Sequence, residues 1–177
     1  MFSYLKRIRI TGTVISTSTS TVQKMLSYID FQNANTILEL GAGKGVVTQP
    51  LAQKANPNTN LYIFELLPVF AENLKHQYQS YKNVHIIQDS AEKISHYLPQ
   101  APTDACISVL PLSIMDKNVV HTILDTIATQ LTEKGVFIQL QYTKRLENLF
   151  KDYFHFEKRD YSLWNFPPAY LYILRKK

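Results

Sequence analysis

Three acidic residues and a run of glycines offer the most readable chemistry in this chain. Glu39-Leu40-Gly41-Ala42-Gly43-Lys44-Gly45 sets a carboxylate ahead of three alternating glycines, and Glu65 and Asp89 follow at similar intervals. Glycine reaches positive φ and admits a ligand against bare main chain, so the run suits a nucleotide held by backbone N–H groups. Spacing excludes two nucleotide classes. A Walker phosphate loop needs Ser or Thr after Gly-Lys, where this chain has Gly45, and the dinucleotide fingerprint needs a glycine where Val46 stands. Glu39 would repel a pyrophosphate but accommodates a ligand that carries positive charge. Glu65, with Leu66 beside it, is placed to accept from ribose hydroxyls, and Asp89 with Ser90 to accept from an adenine amino group. The same residues also read more plainly as a turn, a surface acid and a helix cap, Asp89-Ser90-Ala91-Glu92.

Those positions depend on alternating strands and helices. A hydroxyl run from Ser16 to Thr21 leads into Val22, Met25, Leu26 and Ile29 at helical spacing, which predicts a helix over about 18–29. Strands are predicted at 36–40, 61–65, 84–88, 104–110 and 135–142. Helices are predicted at 46–54, from Pro68 with Phe70, Leu74 and Tyr78 on one face, and at 119–131 with Val120, Ile123, Leu124, Ile127 and Leu131 as its stripe. Apolar strands separated by helices imply a parallel sheet covered on both faces. The segments 153–161 and 169–174, joined through Trp164-Asn165-Phe166-Pro167-Pro168 with no helix between, predict an antiparallel hairpin at one edge. The expected fold is α/β: a doubly wound, seven-stranded, Rossmann-like sheet ending in that hairpin. The acids and glycines then fall at the carboxyl ends of its first three strands, where such sheets bind ligands.

Composition narrows the classes further. The chain has 177 residues, 45% of them hydrophobic, enough for one domain and one core. Residues 1–30 are expected to form an N-terminal lid or amphipathic segment plus helix, and 31–177 the catalytic domain. A single cysteine, Cys106, excludes an internal disulfide framework and indicates a reducing cytoplasm. His76, His85, His96, His121 and His155 are scattered, so no metal is expected. No run approaches the roughly 20 apolar residues that would span a bilayer. The net charge of +5 includes clusters at Lys6, Arg7 and Arg9, at Lys144 and Arg145, and at Arg175 to Lys177. If Phe2 to Ile10 is helical, Phe2, Tyr4, Leu5 and Ile8 share one side and Lys6 and Arg7 the other. Such a helix would lie on the inner membrane surface, drawn by anionic lipid, or pack as a lid over the ligand.

The glycine motif with its leading acid resembles the first motif of S-adenosylmethionine enzymes, and the fold resembles the class I methyltransferases. After the fourth strand, Ser108-Val109-Leu110-Pro111-Leu112 resembles the Asn-Leu-Pro-aromatic motif of the ribosomal RNA adenine dimethylases. In that family the asparagine and a backbone carbonyl hold the base's amino group and the aromatic stacks on the base. Val109 and Leu112 occupy those two positions here, and losing a stacking partner forfeits about 1 to 3 kcal/mol per base. The Ser-x-Leu-Pro-Leu form instead resembles the bacterial phospholipid N-methyltransferases. So do Gly12-Thr13-Val14 with Ser16-Thr17-Ser18, Gln139-Leu140-Gln141-Tyr142, and Trp164 to Ala169, although 14–21 lacks the proline of that leading segment.

The resemblance implies N-methylation of phosphatidylethanolamine or a related phospholipid, with S-adenosylmethionine as cofactor and nucleic acid not expected as a partner. Implied cofactor contacts are Glu39, Gly41, Gly43, Gly45, Glu65, Leu66, Asp89 and Ser90. Ser108, the Leu110 backbone and Tyr142 would orient the amine, with Thr17, Pro111 and Leu112 at the substrate. Tyr142 reads equally as a packed strand aromatic. Methyl transfer to RNA or to a small amine, and a non-catalytic cofactor-binding module, are the alternatives.

Overall fold

The computed structural model describes residues 17–98 and 102–177. The segments Phe2–Ile10 and Gly12-Thr13-Val14, read above as an amphipathic start and a leading motif, lie outside the described residues.

Helix α1 (Thr19–Leu26) begins where the hydroxyl run can cap it: the Ser18 side chain accepts from the Thr21 N–H. It buries Val22, Met25 and Leu26 in the same core as β1 (Thr36–Leu40), so it is packed as part of the sheet's covering layer. Then follow α2 (Thr48–Lys54), β2 (Asn60–Phe64), α3 (Pro68–Tyr78) and β3 (Val84–Ile87). Pro68 stands at the start of α3, where its missing N–H is harmless. A 3-10 turn over Ala91–Lys93 leads into the short α4 (Ile94–Tyr97). After β4 (Thr103–Ser108), Asp116 caps α5 (Lys117–Gln130) by accepting from the Asn118 N–H. The chain ends with β5 (Leu131–Gln141), α6 (Glu147–Tyr153), β6 (Phe154–Ser162) and β7 (Ala169–Lys176).

The seven strands form one sheet in the order β3-β2-β1-β4-β5-β7-β6. The first five are parallel, and β7 runs antiparallel to both β5 and β6. This is the predicted doubly wound α/β sheet with its closing hairpin. Strand order reverses between β1 and β4, so a crevice opens beyond Leu40 and Ser108, which pair with each other. Two apolar clusters cover the faces. One holds Val22, Met25, Leu51 and Leu74 against Ile37, Leu61 and Ile138; the other holds Ile94, Ile123, Leu124 and Phe150 against Leu38, Phe64 and Tyr172.

Two differences from the sequence reading have local causes. Helix α6 fills a stretch left unassigned because in seven residues it buries one side chain, Phe150, too few for a periodic stripe. Strand β5 starts at Leu131, a residue assigned above to the preceding helix, and its pairing with β4 is irregular between Thr103 and Ala105.

Candidate functional site

Gly41, Gly43 and Gly45 all have positive φ, at 82°, 54° and 81°. The turn is pinned to the next strand, because the Gly41 and Ala42 N–H groups both donate to the Phe64 carbonyl (2.9 and 3.2 Å). The glycines differ in what surrounds them. A Cβ at Gly41 would come within 2.9 Å of Leu110 Cδ2, and one at Gly45 within 2.8 Å of Leu74 Cδ2, whereas a Cβ at Gly43 would meet nothing within 4 Å. Gly43 is therefore bare main chain facing open space, the cradle that a nucleoside needs.

Glu65, buried just beyond β2, supports that cradle. One carboxylate oxygen accepts from Gly43 N–H (2.7 Å) and the other from Leu67 N–H (2.8 Å). Each oxygen keeps a second lone pair with which to accept from a hydroxyl. Asp89 lies beyond β3. Burial opposes its ionisation, but donation from Lys93, the Ser90 N–H and Tyr97 outweighs burial and holds its carboxyl below the ordinary range. It is thus an ionised acceptor at neutral pH. Ser90 caps the following turn and donates to Glu92.

Glu39 is unusual. It is completely buried in β1, and neither its oxygens nor the hydroxyls of Thr48 and Tyr78 have a hydrogen-bond partner. Burial pushes its pKa to about 8, with the nearby Thr48 hydroxyl drawing it partway back and Glu65 adding to the rise. Such a carboxyl is neutral until positive charge is brought near it. The open backbone at Gly43, the lone pairs of Glu65 and the unpartnered acid Glu39 together fit a cofactor that presents ribose hydroxyls and cationic groups.

On the other side of the crevice, Val109 N–H donates to Leu40 carbonyl (3.1 Å) and sets the end of β4 against the turn. The buried Ser108 hydroxyl accepts from Leu110 N–H (3.3 Å). The Leu110 carbonyl, expected to be open to an amine, is instead engaged by Leu112 N–H (2.8 Å), Gln139 Nε2 (3.1 Å) and Gln141 Nε2 (3.2 Å). Three donors exceed its two lone pairs, so it has none to spare in this arrangement. Leu112, expected at the substrate, packs in the core beside Val120 and Leu124 and is 1% exposed. Pro111 is partly exposed beside it.

Tyr142, half-buried, accepts a long contact from Asn165 Nδ2 (3.4 Å), and burial raises its pKa, so its phenol stays protonated. Asn165 also accepts from Ser18 N–H (3.0 Å) and donates to the Pro167 carbonyl (3.0 Å). Thr21 and Ser162 hydroxyls meet at 2.6 Å. These bonds stitch the start of α1, next to the buried Thr17, onto the β6–β7 loop. Gln139, Gln141 and Asn165 were quoted in the sequence only as parts of motifs. Their polar character inside otherwise apolar strands or beside proline was the available signal. Among the described residues no group of three or more His, Cys, Asp or Glu is placed to hold a metal, and no helix is long and apolar enough to cross a membrane.

A doubly wound 3-2-1-4-5-7-6 sheet with a glycine turn after β1 and acids after β2 and β3 is the class I methyltransferase fold, and the family match makes the chain an S-adenosylmethionine-dependent methyltransferase. The chain belongs to the ribosomal RNA adenine dimethylase family, whose model matches residues 9–148. It is 26% identical to an ornithine lipid N-methyltransferase of Singulisphaera acidiphila over 83% of this chain and 79% of that one. It is 32% identical to a "Probable ribosomal RNA small subunit methyltransferase A" of Methanosphaera stadtmanae over 70% of this chain, spanning 42% of that protein. Among solved structures, the N-methyltransferase NodS of Bradyrhizobium japonicum with S-adenosyl-L-homocysteine superposes with a TM-score of 0.74 at 13% identity, covering 89% of this chain and 86% of that one. The expectation that nucleic acid is no partner finds no support in these relatives.

Proposed function

We propose that this methyltransferase acts on the amine of a membrane lipid of the phosphatidylethanolamine type, working at a cytoplasmic membrane surface. The observation that carries the reading is the acceptor side of the crevice. Valine stands at 109, with no group to hold a base's amino group, and Leu112 is buried in the core where a base-stacking ring would have to be exposed. The likeness to a lipid N-methyltransferase along most of both chains supports it.

In this reading the bound cofactor supplies an electrophilic methyl group. Gly41, Gly43 and Gly45 present main chain to it, Glu65 with Leu66 takes the ribose, Asp89 with Ser90 the adenine, and Glu39 the positive charge. Alignment of a neutral amine is the protein's remaining task, and ordered positioning of this kind is a large part of catalysis. Ser108 and the Tyr142 phenol orient the amine, the phenol as donor since it stays protonated, with Thr17 and Pro111 flanking the path. The amine's proton leaves to water.

The RNA reading is favoured by one specific finding, the 32% identity to a protein named for ribosomal RNA methylation. Labelled methyl transfer separates the two. The full chain is incubated with labelled cofactor and either phosphatidylethanolamine vesicles or total ribosomal RNA. Label in the lipid alone is expected, and label in RNA with none in lipid would overturn the lipid reading.

A further inference from the structure

The β6–β7 loop reverses the usual arrangement of a surface loop. Leu163, Trp164 and Phe166 are 71%, 83% and 91% exposed, while the polar Asn165 between them is 1% exposed. Large apolar groups gathered in water mark a surface with a partner. The loop is also held in place. Asn165 bonds Ser18, Pro167 and Tyr142, and two consecutive prolines restrict the backbone after it. Its polar residue serves as an inward anchor, and its apolar residues are presented outward.

The loop's place in the sheet connects it with the acceptor side. Ser162 pairs with Ala169 and Gln141 with Tyr170, so the loop projects from the strand ends where Gln141 and Tyr142 lie. Its surroundings are cationic. Lys24 lines a surface pocket of about 300 Å³ together with Ser20, Tyr161, Ser162, Leu163 and Trp164. Lys24 and Lys158 share the single carboxylate of Asp160, and Lys144 lies 5.3 Å over the Tyr170 ring. Aromatic and aliphatic tips bordered by lysines match the interface of an anionic bilayer, where aromatic side chains settle at headgroup level and each nearby Lys or Arg adds attraction.

We propose that Leu163, Trp164 and Phe166 insert into the interfacial layer of an anionic lipid surface, with Lys24 and Lys144 at headgroup level, and so seat the Tyr142 side of the crevice against the membrane. The proposal rests on the lipid reading of the acceptor.

Trp164 is the chain's one tryptophan, so its fluorescence reports on the loop without a label. The full chain is titrated with vesicles of phosphatidylethanolamine and phosphatidylglycerol, with and without brominated acyl chains. A blue shift and bromine quenching are expected, and Phe166→Ser should need about tenfold more lipid for the half-maximal shift, a loss in keeping with one buried aromatic. The same variant should lose about tenfold in methyl transfer to vesicles. It should stay within about twofold of the parent on a short-chain phosphatidylethanolamine dispersed as monomers. Trp164 emission unmoved by vesicles that are nevertheless methylated would overturn the surface proposal and leave the lipid reading standing. A shift produced by raising protein concentration alone, or by an RNA oligonucleotide and not by vesicles, would give the face to a second copy or to RNA and overturn it equally. Absence of transfer to both vesicles and dispersed lipid would instead remove the lipid reading itself.

Discussion

On the β1–β3 side of the crevice the groups proposed to meet the cofactor are the open glycine backbone at Gly43 and carboxylate oxygens. On the β4–β5 side they are side chains gathered from distant parts of the chain. Glu65 holds Gly43 across 22 positions, and the turn's backbone bonds go to Phe64 of the adjacent strand or stay within the turn and the start of α2. Asn165 joins Ser18 across 147 positions and Tyr142 across 23, while Gln139 and Gln141 reach back 29 and 31 to Leu110. The proposed cofactor side is built from local backbone whose three glycines all have positive φ. The acceptor side is a mosaic that can be rewritten residue by residue. This difference explains how one fold keeps a cofactor while its relatives are named for lipid and RNA acceptors.

The sharpest break of that contrast is Gly43→Val. A β-branched residue at φ 54° is strained, and its side chain would fill the open space above the turn. Calorimetric titration with the cofactor and with its demethylated product should show affinity falling at least about 100-fold. Unchanged binding would mean that the cofactor does not lie on this turn.

Glu39→Gln tests the cofactor side through pH. The Glu39 carboxyl titrates near 8 when folded and near its ordinary 4.5 when unfolded. Below 4.5 both forms are neutral. Between 4.5 and 8 only the unfolded chain ionises, so Glu39 lowers stability progressively as pH rises through that window, and the loss is complete above 8. The unfolding free energy of Glu39→Gln relative to the parent, measured by chemical denaturation, should therefore climb from pH 4.5 to 8, with a difference on the order of a few kcal/mol at the top. A flat difference would mean that Glu39 is ionised in the folded protein.

Asn165→Ala should act on the opposite side. Removing its amide leaves the Ser18 N–H and the Pro167 carbonyl without their partner in a partly buried setting, a loss of about 1 to 2 kcal/mol in chemical denaturation. The KM for the amine acceptor should rise several-fold while cofactor affinity stays put. Equal weakening of both would erase the proposed division of labour.

How far each side could be read from the sequence follows from the same contrast. The positions of Gly41 to Gly45, Glu65 and Asp89 at strand ends were legible because each follows its own strand, and short continuous apolar runs show in the pattern. That Leu110 Cδ2 sits against Gly41 was not legible, since the contact crosses the sheet's switch point. Leu112 was assigned to the substrate from its motif position, whereas the 3-10 turn over Leu112–Ile114 rotates it into the core, and no local propensity announces that turn. The saturation of the Leu110 carbonyl depends on two glutamines in β5 whose inward direction only the register reveals.

Tyr142→Phe makes the smallest and most discriminating change. The phenol makes one long contact, 3.4 Å to Asn165, and sits half-buried, so deleting the hydroxyl should alter stability by less than about 1 kcal/mol. Because burial keeps the phenol protonated, its proposed role is to donate to the amine acceptor and to take no proton. The pH–rate profile of Tyr142→Phe should therefore keep the parent's shape while kcat falls no more than about tenfold and cofactor affinity holds. A displaced basic limb would make Tyr142 the proton acceptor. An unchanged kcat would return it to the role of a packed strand aromatic, and the β4–β5 side would then orient its amine through Ser108 alone.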